Sequence, residues 1–195
     1  MPKILAVKTN ILFPDGIWEG FREHANEDIL KHLDTHKEFI ERASAEEDES
    51  YQQIIPQIIL KVGSKIFLHK IPTTGSEGRL HDMWPIFLGG HVDYTDASIW
   101  QAAEREFNEE INYRGNIVSK KFLGLVKRHD VPVNKVHVGL VWLFEGDREE
   151  FEATDDHGIT EGKFVDINTL QEYIPHMSYW SQTAAPYLIE RFKTS

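Results

Sequence analysis

Leu88-Gly89-Gly90-His91-Val92-Asp93, followed after a short loop by Arg105-Glu106-Phe107-Asn108-Glu109-Glu110, is the stretch on which the reading of this chain turns. Two consecutive glycines between an apolar segment and a helical one imply a tight loop in which the backbone approaches something closely. Beyond them, Ala97 to Ile111 carries Trp100, Ala103, Phe107 and Ile111 on one stripe, which predicts an amphipathic helix. At about 100° per residue, Glu106, Glu109 and Glu110 share an arc of about 100°, roughly 90° from that stripe. Three carboxylates so placed repel one another by a few tenths of a kcal/mol per pair. A solvated acidic face is the plain reading of the helix alone. With the glycine loop beside it, a bound cation is the better account, and all-oxygen ligands suit Mg²⁺ or Mn²⁺.

Around this core the pattern is of strands with few helices. Ile58 to Val62, Gly63-Ser64 and Lys65 to His69 read as a hairpin with a glycine-first type II′ turn. Phe122 to Val126 and Val136 to Phe144 read as further strands, the second apolar at odd and even positions alike and therefore central, with both faces covered. Lys163-Phe164-Val165 adds another, and Tyr179 to Phe192 reads as a helix broken or kinked at Pro186. Ahead of these lie a short strand over residues 3 to 8, a helix from Asn26, its N-cap, to Ile40, and the acidic stretch Ala43 to Ser50, which reads as a solvated linker. The division expected is an N-terminal extension and linker over residues 1–50 and a main domain over 51–195. The class expected is α+β, a three-layer sheet-and-helix domain.

The bulk numbers exclude several chemistries. With no cysteine there is no disulfide, no thiol nucleophile, no iron–sulfur cluster and no Cys-ligated zinc. A formal charge of −11, from 21 basic and 32 acidic residues, disfavours a nucleic acid polymer as partner, while a small phosphorylated substrate stays compatible because a held cation inverts the local field. The first residues form too short an apolar run for a signal peptide, and no stretch approaches a membrane span, so no membrane association is expected and the cytoplasm is the default location.

The stretch resembles the signature of the Nudix hydrolases, G-x5-E-x7-R-E-U-x-E-E-x-G-U with U bulky and apolar. Gly90 matches its glycine, and Arg105-Glu106-Phe107-Asn108-Glu109-Glu110 completes R-E-U-x-E-E. Asp96 stands where the first Glu is expected and lies one residue farther from Arg105 than the pattern; it serves equally as N-cap of a helix starting near Ala97. Asn112 replaces the late Gly, as a residue tolerant of a left-handed C-cap. The resemblance implies an α/β/α sandwich with a mixed central sheet, carrying the N-terminal α/β extension. It implies divalent metal on Glu106, Glu109 and Glu110 with the Gly90 carbonyl, Arg105 orienting the glutamates, and Glu161, from a later loop, as general base.

The activity so implied is Mg²⁺- or Mn²⁺-dependent cleavage of a phosphoanhydride in a small nucleoside-diphosphate-linked or related substrate. Arg79 and His81, in the glycine-rich segment before the box, and His91 after the glycines are candidates to meet its phosphates. Trp18, Phe21, Trp84 and Trp142 are candidates to stack on a base, with core packing as the ordinary role of such side chains. The competing reading is a catalytically inactive, ligand-sensing or regulatory module of the same fold, which the departure at Asp96 favours and the intact glutamates oppose. Cysteine-dependent isomerisation of a diphosphate and RNA decapping are disfavoured by composition and charge. For residues 1–50 three roles stay open: capping the sheet, shaping the pocket, or forming the contact of a homodimer.

Overall fold

A computed structural model describes residues 2–24, 28–70, 83–152, 159 and 161–193. The chain opens with β1 (Lys3–Lys8), α1 (Thr9–Leu12), β2 (Gly20–Glu23), α2 (Asp28–His36), β3 (Glu38–Glu41) and α3 (Arg42–Ala45). It continues with β4 (Tyr51–Val62), β5 (Lys65–His69), α4 (Ile99–Glu110), β6 (Asn112–Tyr113), β7 (Ile117–Lys127), α5 (Pro132–Lys135) and β8 (His137–Gly146). It ends with β9 (Phe151–Glu152), β10 (Gly162–Asp166), a 3-10 segment over Leu170–His176 and α6 (Tyr179–Phe192). No helix among the described residues is long and apolar enough to cross a membrane.

The main sheet runs β10-β5-β4-β8-β7-β2, with β4 and β8 parallel and the other neighbours on this path antiparallel. It is a mixed sheet with helices on both faces, the expected α+β sandwich. One face buries Ile54, Ile58, Val138, Leu140 and Trp142 against Ile99, Ala102, Ala103 and Phe107 of α4. The other buries Ile59, Val141 and Leu143 against Leu170, Ala184, Ala185 and Leu188 of the C-terminal segments. The first eight residues of β8 are all buried, as the unbroken apolar run requires of a central strand.

The edge of β4 positions the glycine loop. β4 is twelve residues long, and three partners share this edge in succession. β1 pairs with Gln53 to Tyr51, Leu88 bridges Ile58 through two backbone hydrogen bonds of 2.7 and 2.9 Å, and β5 pairs with Lys61 and Val62. The chain past Leu88 is then held from the other side by β1, where the Leu5 N–H donates to the Val92 carbonyl at 2.9 Å and the Tyr94 N–H to that of Lys3 at 3.1 Å.

Several local expectations change. Phe39 and Ile40 are strand, in β3 paired with Leu5 and Ile4, because the apolar side chains there gain more from β1 than from a fourth helical turn. The N-cap Asn26 falls outside the described residues. Ala43 to Ser50 is exposed, as a solvated segment should be, except for Ala45, which is fully buried in the short α3, and the Ser50 carbonyl accepts from the Thr9 N–H. Gly63 takes the positive φ, 56°, that a glycine-first hairpin turn needs.

Burial holds His24, His69, His91 and His137 below the ordinary histidine value. His69 is the cleanest case: burial pulls its imidazole down to about 4 from 6.5, opposed by the Phe87 carbonyl 2.8 Å from Nε2. A lowered folded value means that the folded state binds fewer protons than the unfolded one between those limits. The stabilisation is complete above the unfolded value of 6.5 and is lost as pH falls toward 4, at roughly 1.4 kcal/mol per pH unit. His69→Gln keeps a donor for Phe87 but cannot titrate, so its unfolding free energy should fall less steeply over that window than the wild type's, by about one proton in urea titrations run at stepped pH.

Candidate active site

The helix α4 begins at Ile99, two residues later than its periodicity suggested, because Ser98 is the N-cap and accepts from the Gln101 N–H at 3.1 Å. The Gln101 Oε1 reaches back to the Ala97 N–H at 2.6 Å, a relative of the capping box. Asp96 is therefore not the cap. Its carboxylate lies in the loop ahead of the helix, only 5% accessible, and takes the Arg105 guanidinium side-on, Nε to Oδ1 at 3.0 Å and Nη2 to Oδ2 at 2.9 Å. The extra residue between Asp96 and Arg105 falls in that loop, outside the helix, so it does not change the phase of the glutamates.

Arg105 is the hub of the site. Its Nη1 donates to Glu106 Oε1 at 2.8 Å and to Glu109 Oε2 at 3.1 Å, and its Nη2 also donates to the His91 carbonyl at 3.0 Å. The hydrogen bonds it donates to Asp96, then that to Glu106, hold it more firmly protonated than an ordinary arginine against the cost of its partial burial. In return, although burial pushes Asp96 up, the bonds from Arg105 and the Asp93 N–H bring it below its usual value.

The glycines do what their pairing implied. A Cβ on Gly89 would lie 2.0 Å from the Pro56 carbonyl oxygen, and its φ of 153° disfavours a side chain in any case; a Cβ on Gly90 would lie 2.6 to 2.7 Å from the Glu106 carboxylate. The Gly89 N–H donates to Glu110 Oε2 at 2.8 Å, so loop and helix meet through both residues. Glu110 turns its carboxylate inward, where burial pushes it up to about 8, opposed by that N–H and reinforced by Glu106 and Glu109. Burial raises Glu106 as well, against the pull of Arg105. Glu109 is largely exposed. Two carboxylates whose charge is disfavoured by burial, beside a third open to solvent, fit a divalent cation: its charge would offset the burial, and hard oxygen is the ligand it prefers.

The apolar side of α4 differs in detail from the predicted stripe. Ile99 and Ala102 join Ala103 and Phe107 in the core, while Trp100 sits at the margin, 37% exposed, beneath the Lys120 ammonium and against Trp142 and Phe144. At the other end Ile111 leaves the helix in extended conformation, and Asn112 opens β6 opposite Glu152. Asn112 therefore serves as strand and not as a left-handed cap.

Of the remaining candidates, Arg79 and His81 lie outside the described residues. His91 has its Nε2 2.9 Å from Gln53 Oε1 and its ring against His137. Glu161 is exposed at the start of β10, its carboxylate 3.8 Å from the Lys70 ammonium and its carbonyl accepting from the Lys70 N–H. Trp142 is core, Phe21 stacks on Tyr187, and Trp84 lies 4.0 Å beneath the Lys163 ammonium. Trp18 differs from these. With Arg22 4.4 Å over its ring it lines a cavity of about 460 Å³ together with Phe13, His24 and Leu125. Leu125 and Phe13 pack in the same core layer as α4, so the cavity opens on the α4 face of the sheet.

Comparison with known proteins agrees with the fold. A family model described as the NUDIX domain matches residues 58–184. Protein YmaB of Bacillus subtilis is 26% identical over 80% of this chain and 80% of its own. The crystal structure of Tm1382, assigned provisionally as a Nudix hydrolase, superposes with a TM-score of 0.83 at 29% identity over 97% of this chain and all of its own. A bifunctional NMN adenylyltransferase/ADP ribose pyrophosphatase from Francisella tularensis, solved with AMP and a manganese ion, shares the fold at a TM-score of 0.54 and 19% identity, over 72% of this chain and 42% of its own.

Asp96→Ala should leave Arg105 without its two-point anchor and lower the unfolding free energy by about 2 kcal/mol in urea titrations. Mn²⁺ affinity, read by electron paramagnetic resonance, should fall with it because Glu106 and Glu109 are held through Arg105. Unchanged Mn²⁺ binding would show that Arg105 does not position them.

Proposed function

The chain belongs to the NUDIX family of pyrophosphohydrolases, and from that premise we propose that it hydrolyses the phosphoanhydride of a small nucleoside-diphosphate-linked substrate with the help of Mg²⁺ or Mn²⁺. The observation that carries the reading is the joint placement of Glu106 and Glu110 against the glycine loop, with both carboxyls raised by burial. Glu106, Glu109 and Glu110, with the Gly90 carbonyl, are the groups that would hold the cation. Bound there, it supplies Lewis acidity toward phosphate oxygens and lowers the pKa of a water molecule.

The protein's own share is placement. Arg105 is a positioning residue, bridging two of the three glutamates and tying them to Asp96 and the His91 carbonyl. Glu161 is assigned the general base, taking the proton of the attacking water as the P–O bond to the leaving phosphate breaks; its exposed carboxylate just before β10 supports that role. The cavity at Trp18 and Arg22 is assigned the organic part of the substrate. A flat ring can slide against the indole there while a guanidinium meets phosphate or ribose oxygens. The Francisella neighbour's description makes ADP-ribose the first compound to try.

The test is Mg²⁺- and Mn²⁺-dependent product release from ADP-ribose, other nucleoside diphosphate derivatives and dinucleoside polyphosphates. Glu109→Gln and Glu110→Gln should each lower kcat by at least about a hundredfold, an effect of the size expected when charge stabilisation is removed from a hydrolytic site. A wild type that binds a panel member and never cleaves it would replace the enzyme by a ligand-sensing module. Trp18→Ala should raise KM severalfold with kcat nearly unchanged, as loss of uniform binding requires; a fall in kcat alone would remove the cavity from substrate recognition.

A further inference from the structure

His91, His137 and Glu46 come together away from the glutamate cluster. One ligand atom from each lies within 4.8 Å of the others. The three belong to different parts of the chain: Glu46 caps the C-terminus of α3, His91 follows the glycine pair, and His137 opens β8. Each ring has one nitrogen within hydrogen-bond distance of an acceptor outside the trio. His137 Nδ1 lies 2.6 Å from the Val133 carbonyl, which can only accept, so Nδ1 carries the proton and Nε2 keeps a free lone pair. His91 Nε2 lies 2.9 Å from Gln53 Oε1, which likewise accepts, and leaves Nδ1 as the free lone pair. The ring centroids are 5.6 Å apart. Histidines that bind metals are oriented in this manner, with the second nitrogen donating to a carbonyl.

We infer that His91, His137 and Glu46 form a second metal site, for an imidazole-preferring divalent cation of the Zn²⁺ class, separate from the oxygen-only cluster on α4. Two imidazoles and a carboxylate are a donor set for zinc, with a fourth position left for water. Ligand atoms around tetrahedral zinc stand about 3.3 Å apart, against up to 4.8 Å here, so the three side chains would draw together by small rotations on binding.

The backbone of the site is prearranged. His137 pairs with Gln53 in the parallel register of β4 and β8, and its carbonyl accepts from the buried Lys127 ammonium at 2.9 Å. Lys127 is fixed in turn by Gln52 Oε1 and the carbonyls of Asn134 and Lys135. Two cationic groups oppose a cation here: the Lys127 ammonium on the His137 carbonyl, and Arg42, whose Nε stands 3.6 Å from Glu46 Oε1 in an exposed and therefore weak pair that a divalent cation displaces. A cation here would join α3 to the same loop whose His91 carbonyl holds Arg105.

The inference is independent of the hydrolase reading and is tested on the full chain carrying Glu109→Gln and Glu110→Gln, so that the α4 cluster is silenced. Zn²⁺ is titrated into the stripped protein by calorimetry, and Co²⁺ by its visible absorption. One ion per chain should still bind, with the strong absorption of a four-coordinate cobalt centre. Adding His91→Gln or His137→Gln should weaken binding by more than about a hundredfold, since changes to outer partners of metal ligands alone reach that size. Glu46→Gln, on an exposed side chain that folding does not depend on, should weaken it by at least about tenfold, and Arg42→Ala should tighten it. Absence of a residual site in the silenced protein overturns the inference, as does a residual site that Glu46→Gln and His91→Gln leave unchanged.

Discussion

The bonding of Arg105 is the constraint on which the rest of the site depends. Its donors are divided among two helix glutamates, a loop carboxylate and a loop carbonyl, so helix and loop cannot shift against one another without breaking a charge-assisted bond. That explains how a half-buried group of acids is tolerated. Glu106, with Arg105 beside it, is raised less than burial alone would demand, whereas Glu110, reached by only a neutral N–H, is raised to about 8. The arginine neutralises part of the cluster and leaves a remainder of negative charge suited to a cation.

The same division sets the role of the glycines. An alanine at position 90 would push its Cβ into the Glu106 carboxylate, and one at position 89 into the Pro56 carbonyl. Backbone therefore has to lie flush against both helix and sheet at this point. The wedge of Leu88 against Ile58, with β1 and β5 on either side, is what brings it there.

Much of this was legible in the sequence because periodicity and spacing are local. The central strand β8 follows from its unbroken apolar run, the hairpin from its glycine-first turn, and the shared arc of the α4 glutamates from the helical repeat of about 3.6 residues. What escaped was decided by partners distant in sequence. Phe39 and Ile40 continue a helical pattern but are drawn into a strand by β1. Asp96 looks like a cap, and only the three-dimensional position of Arg105 nine residues later shows why it is a ligand of the guanidinium. The Trp18 cavity and the convergence of Glu46, His91 and His137 carry no sequence signal, since their members come from separate strands and loops.

The position of β1 bears on how the chain is divided. Its pairing with β4 places residues 3–8 in the main sheet, and its bonds to Val92 and Tyr94 hold the far side of the loop whose near side meets α4. The family match begins only at residue 58, within β4, yet the loop it contains is held from outside that match. Buried backbone groups must find partners somewhere, and for Val92 the partner is supplied by Leu5. An N-terminal segment that satisfies the loop's hydrogen bonds contributes to the geometry of the glutamates through His91 and Arg105, without touching them itself. The extension is thus coupled to the chemistry by the same short stretch of chain, Leu88 to Tyr94, that joins the glycine pair to α4.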